Sequence, residues 1–246
     1  VSFCSPEASR IAFGLGIPHI AFSDSPHAKA VMRLSLPYAT KLLTPWIIPK
    51  ADFEGFGINY KNIINYRAID AAIIIKNYKK NKKNKQNTKK TILIRPEESE
   101  AAYITKKSKT VKIIKKIVEK FPNEQKIVLS RYKEQTNELK KIFGSTICLL
   151  PKPVNGKEVL SNVDCFIGSG GTMTAESGLL GIPTISLNAV PNRIEDFLVK
   201  KRIIVRSENP DRISREIYQS LNNVQCIKNK KRNAKKLLSS FEDPYQ

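Results

Sequence analysis

The chain has 246 residues, 41% of them hydrophobic, which is enough apolar mass for one large core or two smaller ones. It contains no run of about eighteen uncharged apolar residues and no basic-then-apolar opening, so neither a membrane span nor a secretory leader is expected, and the expected location is cytoplasmic. A formal charge of +21 suits an anionic partner, but much of the excess lies in "KNYKKNKKNKQNTKK", Lys76 to Lys90, which has the composition of a solvated connector.

The elements follow in chain order. "SPEASRIAFGLGIPHIAF" reads as a helix and then a strand, with Ser5 as N-cap and Pro6 at the first helical position. Asp24-Ser25-Pro26-His27 opens another helix, and "ATKLLTP" is a short strand ending at Pro45. Beyond the connector come six short runs rich in branched residues: Thr91 to Arg95, Lys126 to Ser130, Ser145 to Leu150, Val163 to Gly168, Ile182 to Leu187 and Arg202 to Arg206. Such runs suit buried parallel strands. Helices fit between them, one with Val111, Ile114, Val118 and Phe121 as its apolar stripe, and a last one with Ala234, Leu237, Leu238 and Phe241 on one face. This βαβ alternation predicts doubly wound parallel sheets. Residues 1–68 read as the second half of one α/β domain, 69–90 as the connector, and 91–246 as a whole second domain. Val1 stands where an initiator Met would, and the opening reads as the middle of a fold, so an amino-terminal part is expected to be missing.

Cys4, Cys148, Cys165 and Cys226 are scattered without CxxC spacing, and only His19 and His27 could join them. No metal site and no cofactor is expected.

The most informative stretch is "GSGGTMTAESGLLGIP", Gly168 to Pro183. In open parallel sheets ligands lie beyond the carboxyl ends of strands, where loops enter helices. A glycine-rich loop lets backbone N–H groups approach an anion, and the helix start that follows favours phosphate. Ser169, Gly170, Gly171 and Thr172 are therefore the expected diphosphate ligands. Met173, Glu176 and Leu180 share one side of the helix, and an ionised carboxylate there calls for a polar surrounding rather than a core. At 1.5 Å per residue Glu176 lies roughly 7 Å along the axis from Gly171, a reach that suits ribose hydroxyls. The competing reading is a tight turn followed by an ordinary salt bridge.

Arg95 and Arg131 follow strands and could neutralise phosphate. Asp24 and His27 follow a strand in the first half-domain, a pairing that can serve as a base or a sugar ligand, with helix capping by Asp24 as the alternative. "LLPKPVN", Leu149 to Asn155, could meet a nucleobase, and Asn192, Glu195 and Asp196 could meet sugar hydroxyls.

"SGGTMTAESGLLGIP" resembles the carboxy-terminal nucleotide-binding motif of GT-B enzymes, among them UDP-N-acetylglucosamine 2-epimerases and the glucosaminyltransferase that makes lipid II. In those families the glycine-rich segment contacts the diphosphate and a Glu five residues before the Gly-x-Pro binds ribose; Glu176 has that spacing to Gly181. "SPEASRIAFGLGIPHIAFSDSPHA", "ILIRPEESEAAY", "PKPVNG", "GSGGTMTAESGLLGIPTIS" and "FEDP" further resemble the largely archaeal "domain of unknown function 354" family of predicted glycosyltransferases. Ala68 and Asp70 depart from it where a Gly and a Glu are expected. The resemblance implies a GT-B-like α/β fold of two Rossmann-like domains, the first incomplete. It also implies transfer of a sugar from a nucleotide diphosphate, UDP-linked, to a glycan or lipid-linked acceptor. Sugar-nucleotide epimerisation is the near alternative. A nonenzymatic polyanion or membrane-surface binder is the rival from another class; peripheral contact with an anionic membrane is compatible with either, and no specific nucleic acid is expected.

Overall fold

The computed structural model describes residues 1–76, 89–96, 107–130, 132–150, 156–187 and 191–242. Arg131, residues 77–88 of the expected 69–90 connector, and the 151–155 part of the "LLPKPVN" loop lie outside them. The chain forms two compact units: Val1–Ile69 with Asn192–Phe197 and the described residues from Phe241, and Asp70–Pro191 with Leu198–Ser240.

The first unit opens on α1 (Pro6–Gly14), whose first turn is capped as its sequence dictates: the Ser5 hydroxyl accepts from the Ala8 amide at 3.2 Å, and Pro6 enters where no N–H is needed. Three parallel strands follow, β1 (Ile20–Phe22), β2 (Lys41–Pro45) and β3 (Ile63–Tyr66), adjacent in that order. Ser2 adds a parallel bridge to Ala21 on the other side of β1. Between β1 and β2 lies α2 (Lys29–Ser35), which begins later than Asp24 to His27 suggested. Ala28 is its N-cap, with no side-chain bond, and Asp24 instead accepts from the Ser25 hydroxyl at 2.7 Å. Met32, Leu36, Leu42, Ile48, Phe53 and Ile63 close this core.

The second unit begins with α3 (Asp70–Lys76), in a stretch whose sequence read as the start of a connector. Buried Ala71, Ala72 and Ile75 make it part of the packed unit. It leads to β4 (Thr91–Arg95), α4 (Lys107–Lys120), β5 (Gln125–Val128), α5 (Lys133–Phe143), β6 (Cys148–Leu149), α6 (Gly156–Ser161), β7 (Cys165–Gly168), α7 (Thr172–Leu179) and β8 (Thr184–Ser186). After these come α8 (Arg193–Lys200), in which the chain passes between units, β9 (Val205–Arg206), α9 (Pro210–Asn222) and α10 (Val224–Leu238).

All six strands expected here form, every pairing is parallel, and their order is β6-β5-β4-β7-β8-β9. Counted along this unit that is 3-2-1-4-5-6, the doubly wound Rossmann order. Period-two alternation divides the buried strand residues between two apolar layers. Ile92, Ile94, Cys165 and Ile167 join Ile114 and Ile117 of α4 and Ile213 and Ile217 of α9, whereas Leu93 and Phe166 join Leu160, Met173 and Ile182. The edge strands are shorter than their apolar runs: Ile203 and Ile204, expected in the last strand, precede β9 and bury their side chains beside Gly178 of α7.

The α4 stripe is shifted from its expected centre. Ile113, Ile114, Ile117 and Phe121 are buried and Val111 and Val118 flank them, because α4 packs on α9 as well as on the sheet. Buried Lys126 closes the carboxyl end of α4, its ammonium donating to the carbonyls of Phe121 at 2.8 Å and Pro122 at 3.4 Å, and burial holds its pKa below the usual lysine value.

The final helix ends at Leu238, so Phe241 leaves its face and returns to the first unit. There its ring meets Trp46 at 5.6 Å, and Trp46 meets Phe197 at 5.5 Å. The Arg67 amide donates to the Glu242 carboxylate while the Glu242 amide donates to the Arg67 carbonyl at 3.0 Å.

Candidate functional site

Strands β4 and β7 are neighbours at the point where the chain order reverses, which is where doubly wound sheets open a crevice at the carboxyl ends of their strands. The residues paired at that end are Arg95 and Gly168. Beyond Gly168 the chain turns through Ser169, Gly170 and Gly171 into α7. Gly170 at φ 107° and Gly171 at φ 79° both occupy the left-handed region, which a side chain would strain. The Gly170 carbonyl is fixed from behind, accepting from the Thr174 hydroxyl at 3.0 Å.

The amides that open α7 receive no side-chain cap, in contrast to α1, α9 and α10, capped by Ser5, Asn209 and Asn223. Gly171 and Thr172 are exposed, so this end of α7 is open to solvent. Deeper in, Met173, Thr174, Ala175, Ser177, Gly178 and Leu179 are all buried, which makes the helix a fixed mount.

Arg95 reaches from β4 to this mount, its guanidinium Nη1 lying 2.9 Å from the Met173 sulfur in the first turn of α7. A cation is thereby held beside the amide end of a helix, which already carries about half a positive charge. A guanidinium and the amide end of a helix, side by side in a partly open region, form a donor set that suits an anion. The contact with Met173 is the part sequence reasoning missed. The neighbour relation of the two strands could have been inferred from βαβ order, but no sequence pattern announces a thioether as a rest for guanidinium.

Glu176 is half-buried and partnered, on a helix whose neighbouring residues are fully enclosed. It is neither sealed in the core nor free in solvent. The loop, Arg95 and Glu176 all lie in the second unit. Asp24, His27, Asn192, Glu195 and Asp196 lie in the first. His27 is exposed and Asp24 half-buried. The Asn192 side chain accepts from the Glu195 amide at 2.8 Å and so caps α8. Glu195 is buried and Asp196 exposed. Among the described residues no cluster of His, Cys, Asp or Glu could hold a metal ion.

Two Rossmann-like parallel sheets, one of three strands and one of six in doubly wound order, define an α/β protein of the GT-B type. The chain belongs to the family described as "Protein of unknown function (DUF354)", whose pattern matches residues 1–246. It is 28% identical over 229 residues to "Uncharacterized protein MJ0665" of Methanocaldococcus jannaschii, covering 88% of this chain and 65% of that protein, so it spans just under two thirds of this relative's length. Among solved structures it is similar to the UDP-GlcNAc 2-epimerase of Neisseria meningitidis bound to UDP-GlcNAc, with a TM-score of 0.66 at 15% identity over 98% of this chain and 69% of that one. It is also similar to the spinosyn rhamnosyltransferase SpnG complexed with spinosyn aglycone, with a TM-score of 0.59 at 10% identity over 99% of this chain and 70% of that one.

Proposed function

We propose that the second unit binds a nucleoside diphosphate sugar, UDP-linked, and that the protein acts as a GT-B-type glycosyltransferase toward a glycan or lipid-linked acceptor. The observation that carries this reading is the convergence of the Arg95 guanidinium and the uncapped start of α7 at the strand-order reversal. The amides of Gly170, Gly171 and Thr172 with the Ser169 hydroxyl would grip the diphosphate. Arg95 would neutralise it and, during transfer, stabilise it as leaving group, which is catalysis by donors fixed before charge develops. Glu176 would accept from the ribose hydroxyls. Asp24 and His27 are proposed for acid–base work, and Asn192, Glu195 and Asp196 for the sugar.

The similarity to a UDP-GlcNAc 2-epimerase supports a second reading in which the same nucleotide site serves epimerisation of the sugar. Peripheral contact with an anionic membrane belongs to the transferase reading, because a lipid-linked acceptor is met there. Calorimetric titration with UDP, GDP, CDP and dTDP tests the common core of both readings. Saturable binding of at least one is expected, and heat from none of them would overturn it. Incubation with UDP-GlcNAc then separates the two: appearance of its C2 epimer without an acceptor favours epimerisation.

A further inference from the structure

We propose that the outer face of α10 is the surface by which this protein docks on an anionic bilayer. The sequence of this helix, "VQCIKNKKRNAKKLL", contains no Asp or Glu. Its buried side, with Ala234 and Leu237, faces the unit, and the backbone of Lys231 lies against Gly181 in the turn after α7. Lys228, Lys231, Arg232, Lys235 and Lys236 are all exposed. At 3.6 residues per turn Lys228, Arg232, Lys235 and Lys236 fall within an arc of about 100° away from Ala234 and Leu237, and Lys231, whose base packs on Gly181, flanks it. This is a single-signed stripe rather than the mixed-charge face of an ordinary solvated helix. It contrasts with α4, where Lys116 and Lys120 close on Asp211 of α9 at 2.8 and 3.2 Å.

Apolar residues decide between a bilayer and a nucleic acid. Val224 stands four residues before Lys228 and seven before Lys231, hence on the same face, and it is 64% exposed. Tyr218, near the end of α9, is 62% exposed. An exposed valine on the lysine stripe and an exposed tyrosine on α9, the helix packed against α10, suit the headgroup boundary, where an apolar body and a polar tip are both accommodated; a phosphate backbone offers the valine nothing. Juxtamembrane lysines and arginines act roughly additively on anionic lipid. The inference rests on the peripheral-membrane part of the reading above and names its surface. Its test contains no nucleotide, so its failure leaves nucleotide binding untouched, and the reverse also holds.

The test is co-sedimentation of the 246-residue chain with vesicles of phosphatidylcholine alone or mixed with phosphatidylglycerol. Binding to the mixed vesicles only is expected, weakening steeply with salt. The triple variant Lys228→Gln, Arg232→Gln, Lys235→Gln should lower the partition coefficient about a hundredfold. The control Lys133→Gln, Lys140→Gln, Lys141→Gln removes the same charge from exposed positions of α5 and should lower it far less. Tyr218→Ser with Val224→Ser should weaken vesicle binding while leaving affinity for a duplex oligonucleotide unchanged. Equal loss in the two triple variants, undiminished vesicle binding by the α10 variant, or loss of oligonucleotide binding alone would each overturn the proposal. Circular dichroism and melting temperature establish that each variant is folded.

Discussion

Arg95 and Met173, 78 residues apart in sequence, are joined by a guanidinium-to-sulfur contact of 2.9 Å across the loop that begins at Gly168. The contact aims a fixed positive charge at the start of α7, and a definite selectivity follows. Replacing Arg95 with Met should weaken a nucleoside diphosphate by about 1.5 to 3 kcal/mol, the range for a hydrogen bond to a charged group. The corresponding nucleoside, lacking phosphate, should bind as before. Equal losses for UDP and uridine would mean that Arg95 shapes the pocket rather than pairing with phosphate.

The ribose contact proposed for Glu176 is tested with a deoxy ligand. The intact protein should prefer UDP over its 2′-deoxy analogue by about 1.5 to 3 kcal/mol, the range for a hydrogen bond to a charged group. In Glu176→Ala both ligands should bind with one affinity, near that of the deoxy ligand in the parent. A preference that survives the substitution would place the ribose elsewhere.

The parallel sheet of the second unit was legible because buried strands between helices leave a strong signature: "TILIR" is β4 residue for residue. The loop into α7 was legible through its glycines, which backbone geometry requires. The stretch after Arg67 was not. Ala71, Ala72 and Ile75 carry an apolar face, but it lies beside a run of lysines whose composition dominates any window spanning both, and only α7 as packing partner reveals Asp70–Lys76 as a structural helix. Phe241 shows the same limit at longer range. Its spacing from Leu237 fits a helix face, yet the helix stops at Leu238 and tertiary packing with Trp46 decides where the ring goes.

Gly181 joins α7 to β8 under two constraints. Its φ of 73° lies in the left-handed region, and a Cβ built there would stand 2.8 Å from the Lys231 Cα of α10. The nearest atom belongs to backbone, so relief requires moving a helix. Gly181→Ala should destabilise the protein by about 1 to 3 kcal/mol, visible as a lower urea midpoint. An unchanged midpoint would mean that α10 shifts freely against the turn.

Trp46, the chain's single tryptophan, sits between Phe197 and Phe241, with the three ring centroids 5.5 to 6.5 Å apart. Truncating buried Phe241 to Ala should cost about 3 to 5 kcal/mol in the first unit and shift Trp46 emission to the red. Emission should then report unfolding earlier than circular dichroism, which weighs the larger helical content of the second unit. Coincident transitions would show that the two units unfold together.

His19 supplies the pH dependence. The residue is 3% exposed, Nε2 lies 2.9 Å from the Ser2 hydroxyl, and Nδ1 is buried without a hydrogen-bond partner. Burial disfavours the imidazolium and holds the pKa below the ordinary value of 6.5. The unfolded chain therefore takes up this proton first as pH falls. The contribution to stability is complete above pH 6.5 and is lost as pH drops from there through the folded-state value. Urea midpoints of the parent should decline across that window. His19→Gln, which retains a group able to bond Ser2 but cannot titrate, should be flatter there whatever its stability at neutral pH. Parallel profiles for the two proteins would assign the acid sensitivity to other groups.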